Sequence, residues 1–238
     1  MKQRIKECYD EAGRRGGWVD WGEYSKRSLE GLLSCLEAYG LDKRGAIRVL
    51  DIGAGAGRYS AFLKARYQWD VIGCDFSKEL CLSGSKAHPE ISFVCSDAEN
   101  LPFTDNCADL VISVGLIECL QNPAKTFIEI HRVLKTNGVG VIRVTNKLCV
   151  GGFLEALLNK TGRTLWGVYP GFYLYSLFSI KKAASNFDIV KFYGCRLVDR
   201  WWFSPLQLLE PALMLLERKM RRVPFIYDSY FVIVKKEG

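Results

Sequence analysis

The chain has 238 residues, of which 49% are hydrophobic and 25% are charged, and its formal net charge is +7. This length and composition exclude a disordered or fibrous chain and make one large domain the simplest expectation. The longest uncharged stretch, residues 164–180, is shorter than a bilayer span of about 20 residues and contains proline and glycine. The first fifteen residues lack an apolar run, so we expect no signal peptide and a cytoplasmic protein.

The nine cysteines are consistent with that location. Their number is odd and no pair has CxxC spacing, so neither a disulfide framework nor a zinc site is expected, and no metal site is predicted. Most have apolar neighbours in the sequence. We interpret Cys74, Cys95, Cys119 and Cys195 as small core residues.

The N-terminal segment is predicted to be helical. Residues 14–17 interrupt the pattern, and apolar side chains then recur on one helical face at Leu29, Leu32, Leu33 and Leu36. Gly40 follows as a plausible end of that helix. Residues 1–45 are therefore predicted to form an N-terminal helical cap.

Residues 46–146 alternate regularly between short apolar runs and helical segments. The predicted strands cover residues 47–52, 70–74, 91–95, 110–114 and 140–145. The predicted helices cover residues 58–67, a short segment from residue 78, and residues 123–134. Such alternation is typical of βαβ units, so we predict a doubly wound, Rossmann-like and mostly parallel sheet.

The rhythm changes after Thr145. Residues 147–175 are aromatic, glycine-rich and irregular, which favours a lid inserted over a ligand crevice. A helix at 176–185, a strand at 189–198, a long helix from Pro205 to about residue 222 and a last strand at 225–234 are predicted. The prediction is one domain, 1–238, in which 176–238 complete a seven-stranded sheet.

A glycine-rich turn directly follows the first predicted strand. Gly53, Gly55 and Gly57 have the spacing GxGxG rather than the GxGxxG of dinucleotide-binding loops. Asp51 lies two positions before the first glycine. A carboxylate there would repel a pyrophosphate and suits a ligand that carries an ammonium or sulfonium group. The alternative is that the glycines form only a tight turn.

Two further acids follow the next two strands. Asp75 ends its strand about twenty residues after the glycine loop, where a carboxylate accepts hydrogen bonds from ribose hydroxyls. Asp75 could instead cap the next helix through Ser77. Asp97 follows the third strand and can reach an adenine amino group. Because parallel strands place their carboxyl ends at one edge, these acids are expected to face one crevice.

Residues 47–145 resemble the class I S-adenosylmethionine-dependent methyltransferases, in particular the small-molecule branch that includes the ubiquinone and menaquinone biosynthesis enzymes. The resemblance rests on 51–57, 75–76, 96–103, 109–118 and 130–138. It implies an antiparallel last strand and S-adenosylmethionine as the cofactor, with S-adenosylhomocysteine as the product. The implied cofactor-binding residues are Asp51, Gly53, Ala54, Gly55, Gly57, Asp75, Phe76, Asp97, Ala98, Val114 and Gly115.

The sequence departs from the family at two places. Many relatives carry histidine after the acid of the fourth strand, whereas Cys119 follows Glu118 here. The turn after the predicted helix at 123–134 usually reads Pro-Gly or Gly-Gly, whereas here it is Asn137-Gly138. Asparagine tolerates the left-handed conformation, so the turn is expected to survive.

The acceptor end is less defined by the sequence. We predict acceptor contacts from Glu118, Tyr24, Tyr169 and Tyr173, while packing is the alternative for the tyrosines. Trp18, Trp21 and Trp166 would line the same apolar pocket. No general base is evident, because His88 precedes a proline in a predicted loop and His131 lies in the predicted helix before the turn at Asn137-Gly138.

The predicted function is methyl transfer to a small, lipid-like or aromatic molecule. An RNA methyltransferase is an alternative that only the net charge favours, and no nucleic-acid partner is expected. A nicotinamide-dependent reductase and a non-catalytic cofactor-binding protein are the others. Residues 201–222 combine paired tryptophans, an apolar helix and a basic end, which permits peripheral membrane contact or simple packing on the sheet. The oligomeric state is not predicted.

Overall fold

The computed structural model describes residues 2–15, 23–146, 173–187, 189–196 and 229–237. The helices are α1 (Lys2–Arg14), α2 (Glu23–Ala38), α3 (Arg58–Tyr67), α4 (Lys78–Ala87), α5 (Pro123–Val133) and α6 (Leu177–Ala183). The strands are β1 (Arg48–Ile52), β2 (Asp70–Asp75), β3 (Ser92–Cys95), β4 (Ala108–Val114), β5 (Leu134–Thr145), β6 (Ile189–Arg196) and β7 (Ser229–Lys235). A 3₁₀ turn covers Ile117–Cys119.

The seven strands form one sheet in the order β3-β2-β1-β4-β5-β7-β6. β1 to β5 pair in parallel, and β7 runs antiparallel between β5 and β6. The predicted doubly wound sheet with an antiparallel last strand is therefore confirmed. The strand order reverses between β1 and β4, and an α/β sheet of this kind opens its ligand crevice at that point, beyond the carboxyl ends of the strands.

Both faces of the sheet are covered by helices. Leu50 in β1 packs in a cluster on the side of α5 and α6, while its neighbour Val49 packs in a second cluster on the side of α2 and α3. The predicted apolar face of α2 is confirmed, since Leu32 and Leu36 are fully buried in the second cluster. Burial on both faces explains why the central strands are continuously apolar rather than alternating.

Local signals in the sequence set the ends of several helices. α2 is followed by Gly40 in the left-handed conformation, and the N–H of Leu41 donates to the Leu36 carbonyl at 2.9 Å, which forms a Schellman-type ending. Asn122 caps α5 by accepting the Ala124 N–H at 3.2 Å, and Pro123 occupies the first turn. Asn137 has a φ of +64°, so the departure from the family turn keeps the required conformation.

Some boundaries differ from the predictions. β5 begins at Leu134 rather than at 140, because Leu134 pairs with Ala108 of β4 and backbone hydrogen bonds join Asn137 and Gly138 to Lys236 near the other end of the chain. That pairing is invisible in the polar local sequence. α6 is shorter than the predicted 176–185. Residues 147–172 of the predicted lid at 147–175, the predicted helix after Pro205 and residues 225–228 of the last predicted strand lie outside the described residues.

Candidate cofactor site

A solvent-open cavity lies at the carboxyl ends of β1, β2, β3 and β4. Its walls come from the segments that follow these strands and from one face of α1. Asp75 and Asp97 both line it, as do Gly53 and Gly115. The sheet therefore brings two of the three predicted acids and parts of two predicted loops to one space.

The glycine loop forms one side of the cavity and needs glycine for steric reasons. Gly57 has a φ of +80°, and a Cβ at this position would lie 2.3 Å from Cζ of Phe93. Gly53 has a φ of +76°, and its Cβ would lie 2.8 Å from Cβ of Leu116. The Gly53 N–H donates to the Cys74 carbonyl at 2.8 Å. Because Gly53 and Gly57 have no side chains, the loop can cross closely over the end of β2 before α3 begins.

Asp75 is half-buried in the cavity wall, and backbone groups hold its carboxylate. Oδ2 accepts the Gly55 N–H at 2.8 Å, and Oδ1 accepts the Ser77 N–H at 2.9 Å. Ser77 in turn caps α4 by accepting the Leu80 N–H. Burial raises the pKa of Asp75, although these two N–H groups oppose the rise. The carboxylate thus links the glycine loop to α4, and each oxygen keeps a lone pair for a ligand hydroxyl.

Asp51 lies behind the glycine loop and does not line the cavity. Its side chain is 1% exposed, and Oδ2 accepts a hydrogen bond from the Ser60 hydroxyl at 2.7 Å. Burial raises the pKa of this carboxyl to about 7, and the nearby Asp75 charge adds to the effect. A positive ligand group near the loop would favour the ionised form.

Asp97 is shared between its own loop and α1. Oδ1 accepts the Glu99 N–H at 3.0 Å, and Oδ2 accepts a hydrogen bond from Nζ of Lys2 at 2.9 Å. Burial acts to raise the pKa of Asp97, but the Glu99 N–H and the Lys2 ammonium outweigh it and hold the pKa below its usual value. Asp97 is therefore ionised at neutral pH.

The predicted cofactor-binding residues divide into two groups. Those that line the cavity are Gly53, Asp75, Phe76, Asp97, Ala98 and Gly115. Those that do not are Asp51, Ala54, Gly55, Gly57 and Val114, which hold the loop and strand ends in place behind them. Contact of each residue with the cofactor stays a prediction.

The predicted acceptor contacts Glu118 and Tyr173 come together, although neither lines the cavity. The Tyr173 N–H donates to the Glu118 carbonyl at 2.6 Å. The Glu118 side chain is 1% exposed, and its Oε1 accepts both the N–H and the hydroxyl of Thr145, at 2.8 and 2.6 Å. Its Oε2 is buried without a hydrogen-bond partner in the described part of the chain. Tyr169 and the Tyr24 side chain lie outside the described residues.

Sequence reasoning missed the contribution of α1 to the cavity. Lys2, Ile5, Lys6 and Tyr9 all line it. Their spacing of three, four and seven residues places them on one helical face, and this pattern was the available signal. Nothing in the local sequence indicated which surface that face would cover.

The structure corrects part of the cysteine interpretation. Cys74 is buried as expected, but Cys95 is exposed because it ends β3, the edge strand of the sheet. Cys119 lines the cavity and bonds the Tyr9 hydroxyl at 3.0 Å. Burial raises the pKa of Cys119 to about 12, so this thiol is unreactive at neutral pH. His131 packs its ring against Phe187 at 5.1 Å, away from the cavity.

The strand order, the glycine loop and the two cavity acids agree with the expectation from the resemblance to class I methyltransferases. Residues 50–142 match the family model described as a methyltransferase domain, and these residues contain the loop, both acids and the 3₁₀ turn. This part of the chain is therefore similar to a methyltransferase domain of the class I, S-adenosylmethionine-dependent type.

Two groups of curated relatives share this region. The chain is 33% identical over 156 residues to a demethylmenaquinone methyltransferase of Renibacterium salmoninarum, which covers 59% of this chain and 63% of the relative. It is 27% identical over 139 residues to a malonyl-[acyl-carrier protein] O-methyltransferase of Pectobacterium atrosepticum, which covers 58% and 51%. The chain thus spans less than two thirds of the length of either relative.

Solved structures share the fold over the full length. The magnesium protoporphyrin IX methyltransferase of Synechocystis PCC 6803, solved with bound S-adenosylhomocysteine, has a TM-score of 0.67 at 15% identity and covers 99% of both chains. At this identity the likeness concerns the fold alone. Within the described residues, no helix of the protein is both long enough and apolar enough to span a membrane.

Proposed function

We propose that the protein transfers a methyl group from S-adenosylmethionine to a small, lipid-like or aromatic acceptor. The observation that carries the proposal is that Asp75, Asp97 and the glycine loop meet at one cavity within the matched methyltransferase domain. The names of the relatives support a small-molecule acceptor, because they act on a demethylmenaquinone and on a malonyl group attached to acyl-carrier protein.

The residues of the cavity fit S-adenosylmethionine. Gly115 lines the cavity, and among the described residues no atom lies within 4 Å of the position of a Cβ there, so a ligand can approach the backbone closely. The cofactor supplies an activated methyl group on a positive sulfur. In this proposal Asp75 accepts hydrogen bonds from ribose hydroxyls, Asp97 accepts one from the adenine amino group, and the ionised Asp51 stabilises the positive methionine end through the loop.

The same residues disfavour a nicotinamide cofactor. Its pyrophosphate would lie against the loop that covers Asp51. The charge next to it would then be a carboxylate rather than an unpaired positive group. Two lysines line the cavity, but Lys6 is 2.7 Å from Asp10 and Lys2 is bound to Asp97 and Glu99. Their charges are thus already balanced. Tight binding of NAD without binding of S-adenosylhomocysteine would reverse this choice.

Glu118 is our candidate for contact with the acceptor. Thr145 fixes Oε1, which leaves Oε2 as a buried acceptor of hydrogen bonds. A buried carboxylate oxygen without a donor is costly unless a ligand supplies one. In this proposal Oε2 accepts the O–H or N–H of the acceptor and takes its proton as the methyl group is transferred.

Exchanging Glu118 for glutamine tests this role. The amide keeps the bonds from Thr145 but cannot take a proton, so we expect methyl transfer to fall about a hundredfold. The affinity for S-adenosylhomocysteine, measured by calorimetry, should stay within about twofold. Glu37→Gln on the exposed face of α2 is the matched control. An equal loss of cofactor affinity would show that Glu118 only supports the fold of the site.

The acceptor class is tested with radiolabelled S-adenosylmethionine and an extract of the source organism. The products are partitioned into organic, aqueous and macromolecular fractions, with Asp75→Ala as the inactive control. Label in the organic phase supports a lipid-like acceptor. Label only in RNA would favour the nucleic-acid alternative. Cofactor binding with no labelled product in any extract would favour a non-catalytic binding protein.

The remaining sequence-based expectations are proposals too. We expect a cytoplasmic protein in which residues 147–175 cover the acceptor and Tyr169 contacts it. Peripheral membrane contact through residues 201–222 would appear as co-flotation with anionic liposomes that salt abolishes. Most residues of both segments lie outside the described ones, so their support is their aromatic and basic composition.

A further inference from the structure

Helix α1 forms a wall of the cavity although no part of the methyltransferase signature lies in it. Ile5, Lys6 and Tyr9 face the cavity together with Asp75 and Asp97. A ligand that contacts both acids would therefore lie under α1. Such a ligand would contact the face of α1 that these residues form.

The C-terminal half of α1 is docked tightly on α4. Gly13 is buried, and a Cβ there would lie 2.7 Å from the backbone nitrogen of Leu80. Asp10 accepts a hydrogen bond from the Ser77 hydroxyl at 2.5 Å, next to the first turn of α4. Backbone-to-backbone packing and a half-buried hydrogen bond hold this half of α1 in place.

The N-terminal end of α1 is held differently. Nζ of Lys2 is 2.9 Å from Oδ2 of Asp97 and 2.8 Å from Oε2 of Glu99. The Lys2 side chain is 51% exposed, so solvent and salt screen both pairs. Between the two ends, the Tyr9 hydroxyl bonds across the cavity to the sulfur of Cys119.

We propose that α1 is a cover of the cofactor site that pivots on its docked C-terminal half and is closed by the Lys2 ion pairs. Lys6 and Tyr9 then contact the bound cofactor from above. Asp97 holds both the cover and the ligand, because its Oδ2 already binds Lys2. The inference rests on the proposed function, since it requires that this cavity bind the cofactor.

The cover predicts a kinetic effect that a simple binding contact would not produce. Lys2→Gln should open the cover more often, so association and dissociation of S-adenosylhomocysteine should both accelerate by about fivefold, as expected for the loss of two exposed ion pairs. The equilibrium Kd should change less than twofold. The rates are measured by surface plasmon resonance, with the protein immobilised through a C-terminal tag.

Three comparisons sharpen the test. Lys125 lies 3.9 Å from the same Glu99 oxygen but belongs to α5, so Lys125→Gln removes an equal charge without touching the cover and should leave both rates unchanged. Glu99→Gln removes one of the two Lys2 pairs from the other side and should accelerate both rates by about twofold. Raising the salt from about 0.05 to 0.5 M shortens the screening length about threefold and should accelerate the wild type but not Lys2→Gln.

The possible outcomes distinguish a failure of the proposed cover from a failure of the proposed function. Binding with rates that Lys2→Gln leaves unchanged would overturn the cover and leave the proposed function standing. Acceleration of dissociation alone, with a matching loss of affinity, would make Lys2 a direct contact and would also overturn it. If the wild-type protein does not bind S-adenosylhomocysteine at all, both the proposed function and the cover are wrong.

Discussion

Exchanging Asp51 for asparagine tests how the hidden carboxyl behind the glycine loop contributes to cofactor binding. Asp51 is 1% exposed, and burial raises its pKa to about 7. At this pKa about one tenth of the carboxyl is ionised at pH 6 and about nine tenths at pH 8. If the positive amino end of the cofactor requires the ionised form, the association constant should rise about tenfold between those pH values.

The assay is calorimetric titration with S-adenosylhomocysteine, which carries the ammonium group but not the reactive sulfonium. Asparagine keeps a hydrogen-bond acceptor for the Ser60 hydroxyl but cannot ionise. Asp51→Asn should therefore bind more weakly than the wild type at pH 8 and should lose the tenfold rise. Asp70→Asn, at the exposed start of the neighbouring strand, is the control and should keep the rise.

The same carboxyl should affect the stability of the ligand-free protein in the opposite direction. The folded protein retains a proton on Asp51 between about pH 4 and pH 7, whereas the unfolded chain has already released it. The contribution of Asp51 to the free energy of unfolding therefore falls as the pH rises through this window, by at most about 4 kcal/mol. Urea unfolding should show Asp51→Asn gaining stability relative to the wild type across the window.

A specific result would refute this reasoning. If Asp51→Asn keeps a tenfold rise in affinity between pH 6 and pH 8, another group titrates and the loop carboxyl is not linked to the ligand. If the relative stability of the two proteins does not change with pH, the raised pKa of Asp51 is wrong. The two measurements are independent, since the second needs no ligand.

Two further substitutions test the supports of the site by urea unfolding. Gly57→Ala should destabilise the fold by about 3 kcal/mol, because its Cβ would overlap Phe93 at a φ of +80°. The control Gly55→Ala should cost only about 1 kcal/mol, because no atom of the described residues lies within 4 Å of its Cβ. Equal losses of stability in the two variants would contradict the steric argument. Arg132→Met should lower the free energy of unfolding by about 2 kcal/mol, because this guanidinium binds two carboxylates and two carbonyls around the loop at 101–105. The control Arg48→Met breaks one exposed ion pair and should lower it by less than about 1 kcal/mol.

Much of the fold was predictable because its signals are local. Most strands of 46–146 contain a short apolar run, and α4 and α5 begin after the capping residues Ser77 and Asn122. The observed α3 has the predicted bounds. Predictions failed where pairing with distant residues decided the boundary. One example is the first part of β5, where Asn137 and Gly138 form backbone hydrogen bonds with Lys236 near the other end of the chain.

The same difference between local and long-range signals explains which features of the candidate site could be predicted. Asp75 and Asp97 could be placed in one crevice from the sequence, because parallel strands share a carboxyl edge whatever the details of packing. The partners of these acids could not be predicted. Lys2 and Asp97 are 95 positions apart, and no periodicity shows which surface an amphipathic helix will cover.

The sequence by itself determined the order of strands and helices, the glycine loop and the three acids at the strand ends. Each follows from spacing within a few residues, which backbone geometry converts directly into local structure. Only the tertiary structure decided that Asp51 is hidden behind the loop, that Thr145 fixes one oxygen of Glu118, and that α1 closes over the cavity. These arrangements depend on the burial of surfaces that are distant in the chain, and such burial is a property of the assembled fold.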